Sequence, residues 1–135
     1  MKVEDLKKEL TAKIKNLILE ILKDFDLSRC KIKIKIFKIK EYKGKSYENQ
    51  CNIYIIKDNL IYKIHYHNFN IISISIYSKK DLLITRYAYD IIYRDYKAYP
   101  LEEIIQFLDS EAVKIIRKLH KSKRTLRTKL KNILE

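Results

Sequence analysis

The run Lys31-Ile32-Lys33-Ile34-Lys35-Ile36 alternates charged and β-branched side chains without a break. Successive side chains of a strand point to opposite faces, so such a run has one cationic face and one isoleucine face. A helix would scatter both sets around its circumference. A half-buried strand over Cys30–Tyr42 follows, with apolar material covering the isoleucines. The alternation changes phase at Ile36-Phe37, after which Phe37 and Ile39 are the apolar positions. A β-bulge there restores one apolar face.

Strands need partners, and the sequence predicts three more at short spacing, over 50–57, Leu60–His67 and 71–77. The segment 43–49, which holds the only glycine, Gly44, reads as a turn. The breaks at Lys57-Asp58-Asn59 and His67-Asn68-Phe69-Asn70 are too short for a crossover, so neighbouring strands are antiparallel and form a meander. Segment 82–99 carries mixed signals. Residues 82–89 are rich in strand formers, while Ser78 with Asp81 resembles a capping box and Asp90 with Arg94 has helical ion-pair spacing. The expectation favours a fifth strand over 82–89, with 78–81 as its hairpin loop.

Helices flank the strands. Val3, Leu6, Leu10, Ile14, Leu17, Ile18, Ile21, Leu22 and Phe25 recur at three- and four-residue spacing, predicting an amphipathic helix over 3–27. Pro100 suits the first turn of another helix ending near Leu108. Asp109 or Ser110 is placed to cap a last helix, about 110–134. The fold class is therefore α+β: an N-terminal helix, an antiparallel meander of four to five strands, and C-terminal helices packed on one sheet face. The 135 residues form a single domain, long enough to bury a core without metals or disulfides.

Composition limits the function classes. Two cysteines, Cys30 and Cys51, make no disulfide framework and read as buried free thiols. No stretch has the length of a membrane span, and the charged N-terminus has no signal-peptide core, so the expected location is cytoplasmic, with no membrane partner.

The formal net charge is +13. Its placement says more than its size. Residues 1–28 hold six basic and six acidic groups, and residues 46–113 hold seven and nine. Residues 29–45 hold eight basic against one acidic, and residues 114–135 nine against one. All the excess sits in the first strand and the last helix. Two concentrated blocks point to a polyanion-binding surface, and a polyanion inside a cell is most simply nucleic acid.

On the first strand, Lys31, Lys33 and Lys35 share one side. Lys63, His65 and His67 share a side of the third strand, Tyr54 lies opposite Ile53 and Ile55 on the second, and Tyr77 lies opposite Ile76 on the fourth. Cations neutralise phosphates and rings stack on bases, so this face suits a single strand. On the last helix, Lys114, Arg117, Lys118, Lys121, Arg124 and Lys131 fall off an apolar stripe of Ala112, Ile116, Leu119, Leu126, Leu130 and Ile133, interrupted at Lys123. Like charges at i,i+4 repel, which favours an anionic partner. The heptad-like spacing of the stripe also suggests a homodimer. The expected function is non-enzymatic nucleic-acid binding, with single-stranded DNA preferred and no cofactor or metal.

Two alternatives compete. A structural or protein-interaction module of a small dimer would have a solvated charged face without ligand affinity. The other is catalytic. His65-Tyr66-His67 resembles the His-hydrophobic-His motif of HUH endonucleases, rolling-circle nickases, and Tyr77-Ser78-Lys79-Lys80 matches their Tyr-x-x-Lys. That resemblance implies a metal held by His65 and His67 and a nucleophilic Tyr77. Glu41-Tyr42-Lys43 similarly resembles the Glu-x-Lys of metal-dependent nucleases, without an acidic residue on a preceding strand to complete it.

Overall fold

A computed structural model describes residues 3–24, 30–42, 46–67, 70–94 and 102–122, together with Thr128. Helix α1 (Val3–Ile21) leads into strands β1 (Cys30–Tyr42), β2 (Ser46–Lys57), β3 (Leu60–His67), β4 (Asn70–Ser78) and β5 (Asp81–Tyr87). A short helix α2 (Ala88–Tyr93) and the long helix α3 (Glu103–Lys121) follow. The five strands form one open antiparallel sheet in the order β1-β2-β3-β4-β5. The expected α+β meander with helices on one face is what the chain forms.

The register explains the core. Ile32 faces Ile55, which faces Tyr62, then Ile76, then Ile84, so one apolar row crosses all five strands. The next row runs Ile34, Ile53, Ile64, Ile74 and ends on Arg86. These side chains join Ile14, Leu17, Ile18 and Leu22 of α1 and its final turn, Ala88 and Ile91 of α2, and Leu108, Ala112, Ile116 and Leu119 of α3 in one core. Each fully buried isoleucine or leucine contributes about 1.5–3 kcal/mol. The register shift between Ile36 and Lys38 is the bulge that the phase change predicted.

Arg86 is the charged end of an isoleucine row, and α3 supplies its partner. The Arg86 Nε donates to Asp109 Oδ1, with Asp109 only 1% exposed and Arg86 19%. This pair corrects the sequence-based helix boundary. Asp109 and Ser110 lie inside α3, not at the start of a new helix, because Asp109 faces inward to Arg86 instead of capping an N-terminus.

Other boundaries also shift. The fifth strand ends at Tyr87, where α2 begins, and the Asp90–Arg94 ion pair predicted from helical spacing is present at 3.3 Å. Strand β2 starts at Ser46, opposite Tyr42, so 46–49 of the turn expected over 43–49 are strand, and 43–45, with Gly44, lie outside the described residues. Helix α1 ends at Ile21, with a turn at 22–24, and residues 25–27, also expected in the helix, lie outside the described residues. A second shift between His65 and Tyr66 puts Ile71 opposite Tyr66 and leaves Ile72 exposed. Cys51 is buried and Cys30 half-buried, and neither is in a disulfide. Burial pushes the Cys51 thiol up to about 12, which keeps it protonated and unreactive.

Candidate nucleic-acid interface

The helices leave the second face of the sheet open, and the register sorts its side chains into rows. One row runs Lys33, Tyr54, Lys63, Ser75, Thr85 across all five strands. The adjacent row runs Lys35, Asn52, His65, Ser73, Tyr87. Beyond the first row lies a third, Lys31, Ile56, Ile61, Tyr77. His67 stands opposite Gln50 and Asn70. All eight open-face residues singled out from the sequence, Lys31, Lys33, Lys35, Tyr54, Lys63, His65, His67 and Tyr77, thus occupy one surface. No carboxylate belongs to these three rows.

Hydrogen bonds order the middle of this face. His65 Nδ1 lies 2.8 Å from Asn52 Oδ1, and Asn52 Nδ2 donates to the Tyr54 hydroxyl at 3.1 Å. Ser75 Oγ and Thr85 Oγ1 are 3.1 Å apart. Asn52 is only 3% exposed, although its side chain stands on the open side of the sheet. Its neighbours cover it, so it acts as a positioning group under His65 and Tyr54. The sequence pattern gave no hint of that role, because an Asn between Cys51 and Ile53 reads as one more solvated polar residue. Partial burial, then Lys63, then His67 hold the His65 imidazole below its usual pKa.

The helix block faces elsewhere. Lys114, Arg117 and Lys121 are exposed, and Lys118 is half-buried. On a helix these four cluster on the side opposite Ala112, Ile116 and Leu119, which are fully buried against the sheet. The cationic face of α3 therefore points away from the sheet, on the far side of the molecule from Lys31, Lys33 and Lys35. The two charge blocks expected to make one surface make two. Lys118 is partly neutralised within the chain, since its Nζ lies 2.6 Å from Asp24 Oδ2 and holds that carboxyl below its usual range. The described part of the heptad-like stripe is used against the sheet of its own chain, while Arg124 and Lys131 lie outside the described residues.

The nickase-like motif is split by the same register. His65 and His67 do share a face. Tyr77, however, pairs with Ile61, four residues along β4 from Ser73, the residue opposite His65. Four residues of strand span about 13 Å. Asn52 also occupies the Nδ1 of His65. Among the described residues, no group of three His, Cys, Asp or Glu side chains is arranged to hold a metal.

A further group went unrecognised in the sequence. Tyr87, Tyr89 and Tyr93 are 57%, 58% and 65% exposed. The Tyr89 and Tyr93 rings lie 5.5 Å apart, Arg94 sits 5.0 Å over Tyr89, and His120 meets Tyr93 edge-on at 6.1 Å. The helical spacing of Asp90 and Arg94 was the available signal, because it also sets Tyr89 and Tyr93 on one side of α2. Among the described residues, no helix is long and apolar enough to cross a membrane. Compared with known proteins, the chain matches no family model, no curated protein and no solved structure.

Proposed function

We propose that this chain binds single-stranded nucleic acid, DNA in first place, on the open face of its sheet, without catalysing a reaction on it. One observation carries the reading. The rows Lys33-Tyr54-Lys63 and Lys35-Asn52-His65 interleave cations with rings and polar groups, and no carboxylate stands among them. Lysines there neutralise phosphates, while Tyr54 and His65, braced by Asn52, present ring surface and hydrogen-bonding edges to bases. Duplex readers insert a helix or a two-stranded ribbon into a groove. A five-stranded face is too broad for that and suits bases splayed on a platform. The cations of α3, Lys114, Arg117 and Lys121, form a second electrostatic surface on the opposite layer.

The test is a titration of single-stranded DNA, duplex DNA and RNA at two salt concentrations. Single-strand affinity should fall by about 0.7 log unit per neutralised phosphate for each decade of salt. A Lys33→Glu, Lys63→Glu double variant that binds as the natural chain does would overturn the assignment to this face. Absence of affinity for every nucleic acid at moderate salt would overturn the function and leave the protein-interaction reading.

A further inference from the structure

We propose that a bound single strand does not stop at the edge of the sheet but continues around β5, over Tyr87, Tyr89 and Tyr93, onto the cationic face of α3. The proposal rests on the open-face reading above and extends it. Tyr87 ends the row that runs Lys35, Asn52, His65, Ser73, so it stands on the open side of the sheet. The next residue, Ala88, begins α2 and is buried in the core with Ile91, on the helix layer. Within two residues the chain has passed from one layer to the other. Strand β5 is an edge strand, so among the described residues no further strand stands between the two surfaces there.

The tyrosines along this route are among the most exposed large side chains described, at 57%, 58% and 65%. Ring spacings of 5.5 Å and 6.1 Å link Tyr89 to Tyr93 and Tyr93 to His120 of α3. His120 stands three residues after Arg117 and next to Lys121, both exposed. Exposed rings set between cations are the arrangement that takes stacked bases with their phosphates. The one carboxylate of α2, Asp90, is already ion-paired with Arg94. The track also accounts for two cationic blocks on opposite faces of one small domain, since one polyanion wrapped around the β5 edge meets both.

The experiment uses the full chain and fluorescein-labelled oligothymidylates of about 6 and about 16 nucleotides, within the range that small single-strand-binding domains occupy. The longer strand should bind more tightly. A Tyr89→Ala, Tyr93→Ala double variant should lose roughly 5-fold or more of the affinity for the longer strand, given typical base-stacking strengths. Its affinity for the short strand should be unchanged. Replacement of both tyrosines by Phe should retain binding, because stacking needs the ring alone. Should the alanine variant fail to fold, Arg117→Glu with Lys121→Glu removes the far end of the track and should erase the same length dependence. Long-strand affinity unchanged in both variants would overturn the track, as would a protein partner captured by these tyrosines with no length dependence on DNA. If the short strand binds and needs Lys33 and Lys63, the open-face reading survives that result. If neither strand binds, that reading fails first.

Discussion

His65 donates its Nδ1 hydrogen to Asn52 Oδ1 at 2.8 Å, across the β2–β3 pair. The direction follows from Asn52, whose amide nitrogen is committed to the Tyr54 hydroxyl, so its oxygen accepts. The neutral imidazole is thereby fixed with Nε2 as an acceptor. Protonation keeps the Nδ1 bond and turns Nε2 into a donor with a positive charge.

This arrangement makes stability depend on pH and, on the proposed function, makes binding depend on it too, with the opposite consequence in acid. The folded chain holds His65 below its ordinary pKa of 6.5, so the unfolded chain binds more protons as the pH falls through that value. Stability therefore decreases from about pH 6.5 downward, until the folded-state pKa is passed. A bound phosphate reverses the preference, since it stabilises the imidazolium. Affinity for single-stranded DNA should rise as the pH falls from 7.5 to 5.5. In His65→Gln both effects should shrink, measured by thermal melts and by titrations at the two pH values. A binding curve with the same pH slope in the variant would remove His65 from the interface.

The Arg86–Asp109 pair sets a different expectation, about the fold. Asp109 is almost fully buried, and the guanidinium beside it compensates its charge. Asp109→Ala should destabilise the chain by a few kcal/mol, roughly 1–3, because the Arg86 guanidinium at the end of an isoleucine row loses its buried carboxylate and keeps only its weaker contacts, such as that to the Thr85 carbonyl. Replacing both residues with apolar side chains of similar volume, Arg86→Met with Asp109→Leu, should recover most of that loss. Denaturant unfolding of the three chains measures the difference. A single variant as stable as the natural chain would mean that water reaches Arg86 easily.

Glycine scarcity suggests a third test. Among the described residues, the connections β2–β3 and β4–β5 each put their first residue at positive φ, Asp58 at 53° and Lys79 at 56°. Asp tolerates this region, whereas a Lys there carries a steric cost of about 1–2 kcal/mol. Lys79→Gly should raise stability by about 1 kcal/mol, with a smaller gain for Asp58→Gly. Equal melting temperatures for Lys79→Gly and the natural chain would contradict it.

Much of this architecture was legible because strand period and helix period rest on short-range sterics. The Lys-Ile run announced β1, and the phase change at Ile36-Phe37 announced its bulge. What escaped was set by contacts distant in sequence. Asp109 looks like a helix cap until Arg86 of β5 is brought against it. Asn52 looks solvated until Tyr54 and His65 close over it. Charge placement was readable along the chain, but its direction in space was not. The lysines of β1 and the cations of α3 take opposite sides only because α3 spends its apolar stripe on the helix-facing side of the sheet.

That opposition yields the last prediction, separable electrostatics. If the open face carries the primary contacts, charge reversal there should both weaken binding and flatten its salt dependence. Each lysine that touches a phosphate accounts for about 0.7 of the log–log slope on a single strand. Lys33→Glu with Lys63→Glu should therefore lower the slope for short oligonucleotides by at least about 1.4. Lys114→Glu, on the outer side of α3, should leave the short-strand slope where it was. Lys118 should matter least of the helix cations, because Asp24 already balances it at 2.6 Å. Slopes that fall equally for sheet and helix variants would mean that the strand lies across both layers even when short, and the open face would lose its priority.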